Sequence, residues 1–442
     1  MIDVHEVFST SITLDEVERA NRDCASSDDQ SAVRLCHAST LLPLKHERDH
    51  YAFIPFSPLL CAFYAGSAGD KDHNDTTSIY VVRIETDGSH SLVHKLDCPK
   101  ANQKANSTPV LFYLNQGVEM RERQEKSGLG HAAPAQGDFV TAVDDLINDA
   151  KSQGLTKEGR DSSSNVALIY KAGSSEEVGA SYISIGFNDG ATFATPRLLV
   201  NARPTTGRGP VRTKPFLVRK GPYAGRVLFP SSVDSKEGLA FADYSDDDLR
   251  TIAQSNAITP DAAQKVAAAQ SFAAYGVVQA ALYEDLGVHA IPGEDTSINS
   301  MSEKERQAKF SRIHMMMSAS GSQLFVADSD DAGATWGKPY PIPLYNCNAG
   351  IDVVTYLNRL LCCGKLVTNP EKCDYRKGAP LAIYMSKDGH NFSELLRLED
   401  EPLGTFTTPY MQVDRRHNLL YVSYTDHRKA IKIRIFRLRL QD

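Results

Sequence analysis

The residue types able to do chemistry are spread thinly over 442 residues, and they stand at strand ends or in turns. His37 follows Cys36 at the opening of an apolar run, and imidazole is the side chain whose ordinary pKa suits proton transfer near neutral pH. Asp75 precedes Thr76-Thr77 and a run of β-type residues, which makes it a candidate general acid or orienting carboxylate. Asp352 follows Gly350-Ile351 and enters an apolar strand; a carboxylate carried there needs a partner or a ligand hydroxyl. Asn346 and Asn348 lie just before it and, with it, can hydrogen-bond hydroxyl groups. Arg212 and Lys214 alternate about Thr213 immediately before Pro215, on one side of the chain, as two cations placed to hold an anion. They belong to the stretch 201–233, which has seven basic residues and no acidic one. Gln279, ahead of Ala280-Ala281-Leu282, offers both a donor and an acceptor.

One arrangement mimics a metal site. His46-Glu47-Arg48-Asp49-His50 satisfies the H-E-x-x-H pattern of zinc proteases, whose chemistry needs a helix to bring both imidazoles onto one face. Here the motif falls between Leu41-Leu42-Pro43 and the β-like Tyr51-Ala52-Phe53-Ile54-Pro55, so it reads as a hairpin loop and no metal is expected.

These residues need a scaffold, and the composition allows an ordinary one. Apolar residues make up 41% of the chain and charged residues 23%, so a core can be buried without a cofactor. No apolar run approaches the roughly 18 residues of a membrane span. The N-terminus, Met1-Ile2-Asp3-Val4-His5-Glu6, has neither the basic nor the apolar region of a secretory signal. Eight cysteines lie scattered without a C-x-x-C pair, which reads as reduced thiols in a cytoplasmic or otherwise intracellular compartment. A net charge of −7 argues against nonspecific binding to nucleic acid or anionic membranes.

Strand signals dominate. Short runs such as Ser78-Ile79-Tyr80-Val81-Val82-Arg83, Val166 to Tyr170 and Leu419 to Tyr424 recur between Asp, Gly, Asn and Ser clusters. From Ile431 onward, apolar and basic residues alternate with a period of two, the mark of a half-buried strand. Adjacent Cys362 and Cys363 then point to opposite faces of their strand. Helical signals are few. Thr13 can cap a helix from Leu14, Asp138 to Lys151 is amphipathic, Thr259-Pro260 can start one, and Ser302 with Glu305 makes a capping box. They read as insertions near 112–162, 251–275 and 290–320 in one domain spanning 1–442.

The repeat is the informative feature. Ser329-Asp330-Asp331-Ala332-Gly333-Ala334-Thr335-Trp336 fits Ser-x-Asp-x-Gly-x-Thr-Trp and holds the only tryptophan. Degenerate copies are Thr86-Asp87-Gly88, Asn188 to Phe193, Ser245 to Asp248 and Ser386 to Phe392. In such a corner a carboxylate or hydroxyl accepts backbone N–H bonds, glycine turns left-handed, and the aromatic packs back on the sheet. Five corners, each after a β run, predict repeated antiparallel sheets. The fold expected is an all-β, six-bladed β-propeller with short helical insertions, its last blade completed by the N-terminal segment.

These corners, with Cys36-His37-Ala38-Ser39-Thr40-Leu41, Thr108-Pro109-Val110-Leu111-Phe112, Gly209 to Pro215 and Asn346 to Asp352, resemble the BNR-repeat branch of the sialidase superfamily over roughly residues 34–440. The resemblance implies a sialidase-like propeller that takes a carbohydrate or glycoconjugate. It also implies an arginine triad on the substrate carboxylate and a tyrosine–glutamate pair, and there this chain departs. Cys36-His37-Ala38 stands where an Arg-Ile-Pro segment is expected, Ser67 near the second arginine, and Val277-Val278 near the glutamate. Tyr410 is about two positions from the expected tyrosine. Two chemistries remain open for an exo-acting enzyme on a terminal acidic sugar. In hydrolysis Asp75 protonates the leaving oxygen while Asp352 activates water. In elimination from a uronic acid, Arg212 and Lys214 stabilise developing charge while His37 or Tyr410 moves the proton. The alternative is a non-catalytic carbohydrate-binding or scaffold propeller.

Overall fold

The computed structural model describes residues 2–24, 33–44, 56–67, 77–91, 94–96, 106–126, 135–155, 165–173, 179–202, 207–209, 213–219, 221–233, 238–259, 277–284, 312–319, 323–347, 349–373 and 379–440. Their strands form six antiparallel sheets, each a blade of a β-propeller. Blade 1 runs Leu35–Pro43, Leu59–Gly66, Thr77–Ile84 and His94–Lys95. Blade 2 has Asn106–Tyr113, Val166–Ala172 and Ala180–Phe187, edged by Thr192–Phe193 and Arg197–Val200. Blade 3 has Phe216–Leu217, Val227–Val233, Leu239–Ser245 and Thr251–Gln254, joined by Asp138–Phe139. Blade 4 has Val277–Glu284, Ile313–Ala319, Gln323–Ser329 and Tyr340–Asn346, edged by Leu366–Val367. Blade 5 has Asp352–Tyr356, Arg359–Gly364, Leu381–Ser386 and Phe392–Glu399. Blade 6 has Phe406–Asp414, Leu419–Asp426 and Ala430–Leu440, and its outer strand is the N-terminal Ile2–Thr13.

The ring closes as the repeat predicts. Ile2 pairs with Leu440 and Thr13 with Ala430, so the two ends of the chain share one sheet. Six apolar clusters, one between each blade and the next, hold the ring together. Because both faces of a blade are covered, its strands read as unbroken apolar runs whose side chains alternate between clusters. Cys61, Phe63 and Ala65 enter the core between blades 6 and 1, while Leu60, Ala62 and Tyr64 enter that between blades 1 and 2. Cys362 and Cys363 divide the same way, toward blade 4 and blade 6 respectively. Ile431, Ile433 and Ile435 are fully buried and alternate with the half-buried Lys432 and Arg434.

The corners carry the expected bonds. Asp331 accepts from Ser329 Oγ at 2.9 Å, Thr335 N at 2.8 Å and Thr335 Oγ1 at 2.6 Å, and Ser329 Oγ accepts from Gly333 N at 2.7 Å. Ser245, Asp247, Leu249 and Thr251 repeat this pattern, with Leu249 at φ 69° where glycine stood in the first corner.

The helices differ more from expectation. Leu14–Cys24 starts at Thr13 as predicted, and Glu16 Oε2 accepts from Thr13 N at 2.7 Å. The amphipathic segment is helical only over Ala142–Ser152; Asp138–Phe139 pairs instead with Thr251 and Ile252, which leaves Phe139 77% exposed. Gln116–Lys126 is a further helix. Two predicted insertions start or end as strand: Thr251–Gln254 belongs to blade 3 and Ile313–Ala319 to blade 4. The helices anticipated from Pro260 onward and at Ser302–Glu305, and the His46–His50 motif, lie outside the described residues.

Candidate functional site

The first strand of a blade carries a recurring distortion. Pairing slips between His37 and Thr40, between Ser107 and Val110, and between Thr407 and Tyr410. At the slip Ala38, Thr108 and Thr408 take φ of 51°, 48° and 47°. A positive φ is costly for a β-branched residue, and bulges of this kind re-aim side chains next to functional sites. Here they sit on strands that pack against the first strands of neighbouring blades, at the axis of the ring.

Three predicted residues converge at the axis. Lys214 Nζ lies 2.5 Å from Asp352 Oδ1. Lys214 leads into blade 3 and Asp352 opens blade 5, so their contact skips blade 4 and crosses the axis. Tyr410 of blade 6 lies beneath the ammonium, its ring centroid 5.5 Å away, and shares a hydrogen bond with Thr40 of blade 1. Asp352 is wholly buried and also accepts from Met411 N at 2.5 Å and Val353 N at 2.9 Å. Burial pushes its carboxyl up and the Lys214 ammonium down, and each restrains the other through their attraction. Burial likewise holds the Tyr410 phenol far above its usual range.

His37 belongs to the seam between blades 1 and 6. Its Nδ1 lies 3.0 Å from Thr425 Oγ1, and its ring meets Tyr64 edge-on at 5.5 Å. Thr425 Oγ1 also accepts from Ala38 N at 3.2 Å and lies 3.0 Å from Thr408 Oγ1. The imidazole is half-buried, whereas Thr425 is fully buried.

Asn346 is spent on protein partners: it donates to Ser318 Oγ of blade 4 at 2.9 Å and to Ala349 O at 2.5 Å. Asp75, Arg212 and Asn348 lie outside the described residues, as does the side chain of Gln279, placed only within Val277–Glu284.

Sequence reasoning missed a second buried network, between blades 2 and 3. Lys171 donates to Ser181 Oγ at 2.9 Å, and Ser181 to Gly209 O at 3.1 Å. Asp243 Oδ2 accepts from Gly209 N at 2.8 Å and lies 3.2 Å from Arg208 Nε. Burial pulls Lys171 down to about 7, offset in part by Asp243, and pushes Asp243 up. The available signal was a lysine closing the apolar run Val166-Ala167-Leu168-Ile169-Tyr170.

A ring of Asp-box blades with polar side chains meeting across its axis defines the sialidase-like class of β-propellers. The chain belongs to the BNR repeat-like domain family, whose sequence profile matches residues 148–422. Among solved structures it is similar to a protein of unknown function from Dyadobacter fermentans, at 14% identity and a TM-score of 0.51 over 99% of each chain. It is similar to Trypanosoma rangeli sialidase, at 10% identity and a TM-score of 0.53, over 99% of this chain and 59% of the other. An α-L-arabinanase from Penicillium chrysogenum, solved with arabinobiose, matches at 11% identity and 0.51 over 97% and 98%. At these identities the likeness is one of fold. Comparison with curated protein sequences returns no match. Among the described residues, no helix is long and apolar enough to cross a membrane.

Proposed function

We propose that this propeller is a glycan-processing enzyme that takes a terminal, acidic sugar at its axis and cleaves the glycosidic bond by acid–base chemistry. The cross-axis meeting of Lys214 and Asp352 beside Tyr410 carries the reading, because it gathers side chains from blades 3, 5 and 6 at one place. In this reading His37 and Asp75 move protons, and Asp352, its carboxyl pushed up by burial, is the base that activates water beside Lys214. Arg212 and Lys214 draw the sugar carboxylate, and Gln279, Asn348 and Tyr410 order its hydroxyls, while Asn346, already bonded to Ser318 and Ala349, shapes the loop that carries Asn348. Sialidase and arabinanase neighbours on the same ring support a sugar as ligand.

One observation favours a second reading, binding without turnover. Asp352 already accepts three protein donors, and Lys214 and Asp352 neutralise each other. The test is a panel of aryl sialosides, glucuronides and arabinosides, together with uronate-capped oligosaccharides followed by the ultraviolet absorbance of unsaturated products. Turnover that falls in His37→Ala and Asp75→Ala supports the enzyme. Ligand binding with no product on any substrate supports the binder.

A further inference from the structure

Cys36, Cys61, Cys362 and Cys363 are locked among apolar neighbours, but two other sulfurs face each other. Cys347 Sγ and Cys373 Sγ lie 2.8 Å apart, with both residues buried. Cys347 follows the last long strand of blade 4, Tyr340–Asn346, and its N–H donates to Lys365 O at 2.8 Å. Cys373 follows the short helical turn Pro370–Lys372, whose start is capped by Asn369 Oδ1 accepting from Glu371 N at 2.9 Å. Ala379, Tyr345 and Val367 close a small apolar cluster around the pair. By contrast, Cys362 Sγ faces Met316 Sδ at 3.6 Å, and burial pushes the Cys36 thiol up to about 12.

We infer that Cys347 and Cys373 are a disulfide-forming pair that staples the loop before Asp352 to the turn at Pro370–Lys372. The sulfurs need to approach by only about 0.8 Å to reach the roughly 2.05 Å of a bond, and both backbones are already fixed by hydrogen bonds. The step is thiol–disulfide exchange with a low-molecular-weight disulfide. One thiolate attacks that disulfide and releases half of it as a thiol; the second cysteine then displaces the other half. The two cysteines lose two protons and two electrons, and the small disulfide becomes two thiols. The closed loop links residues 26 apart in sequence, and it contains Asn348, Asp352 and the first two strands of blade 5. The inference is independent of the proposed enzyme activity.

The full-length protein, incubated with oxidised glutathione, alkylated and digested without reduction, should yield one linked peptide joining Cys347 to Cys373. Oxidation should raise the apparent Tm by about 3 °C, from the loop closed and the size of the chain. Cys373→Ser should abolish the linked peptide and the rise, and Cys347→Ala should do the same should the first variant fold poorly. Recovery of both residues as free thiols after oxidation, or of either joined to a different cysteine, overturns the inference.

Discussion

Lys214 and Asp352 touch at 2.5 Å although blade 4 separates their blades along the ring. The pair is a keystone as well as a candidate site. The Lys214 side chain is 17% exposed and that of Asp352 is not exposed at all, so removing one partner leaves the other charge buried. Lys214→Ala should cost about 3–5 kcal/mol in denaturant unfolding, whereas Lys214→Met with Asp352→Leu should recover most of that loss. The deficit of Lys214→Ala should shrink as pH falls toward 4. A carboxyl raised in the folded state binds its proton earlier than in the unfolded chain, so acid favours the fold. An unchanged unfolding midpoint in the single variant would show that the contact carries no stability.

Lys171 predicts a pH dependence of the opposite sense. Its folded pKa of about 7 lies below the unfolded value of 10.5, because burial disfavours the ammonium more than Asp243 favours it, and Arg208 repels it. Between those values the unfolded chain binds the extra proton, so stability should rise with pH from about 7 and level off near 10.5. Below about 7 the penalty is present in full. Lys171→Met should flatten this part of the profile in urea titrations across the same window. A wild-type profile with no rise there, or one that survives in Lys171→Met, rules out this lysine as its source.

The closure of the ring can be tested at its outer strand. Residues 2–13 pair with 430–440, and Ile12 is completely buried in the core that joins blades 6 and 1. Deleting residues 1–10 should lower the Tm sharply, because it opens blade 6 and uncovers one side of Ala430–Leu440. Ile12→Ala should cost about 2–5 kcal/mol by cavity formation alone. Calorimetry on the two variants separates the strand from the single side chain.

The parts of this structure that were legible in the sequence are the parts set by local chemistry. An Asp-box is a turn whose donors and acceptors lie within seven residues, so Ser329, Asp331 and Thr335 announce it directly. Period-two alternation likewise exposed Ile431 to Ile435. The Ser245 corner was only half legible, because Leu249 adopts φ 69° where the pattern asks for glycine; its geometry is held by Asp247 and Ser245. Phe139 falls within the amphipathic segment from Asp138 to Lys151, but pairing with Thr251, more than a hundred residues away, overrides that local periodicity. The axial contacts were the least legible. Lys214 and Asp352 are 138 positions apart, and the positive φ of Ala38, Thr108 and Thr408 falls on residue types that do not announce it.

The seam between blades 1 and 6 separates an enzyme from a binder most directly. Thr425 Oγ1 serves three groups at once, the His37 ring, the Ala38 N–H and the Thr408 hydroxyl. Thr425→Val keeps the shape and removes the hydroxyl, so it should cost about 1–3 kcal/mol in stability and remove one of the contacts that orient the His37 ring. Should His37 move protons in the reaction, His37→Ala lowers kcat/KM by about 10²–10⁴. Thr425→Val then acts through position: a smaller fall in kcat, a shifted pH profile and little change in KM. A binder would respond differently, with altered affinity in His37→Ala and no pH-dependent rate to shift. Equal kcat/KM and an unaltered pH profile in both variants would remove His37 from the mechanism and leave its ring as part of the seam that closes the propeller.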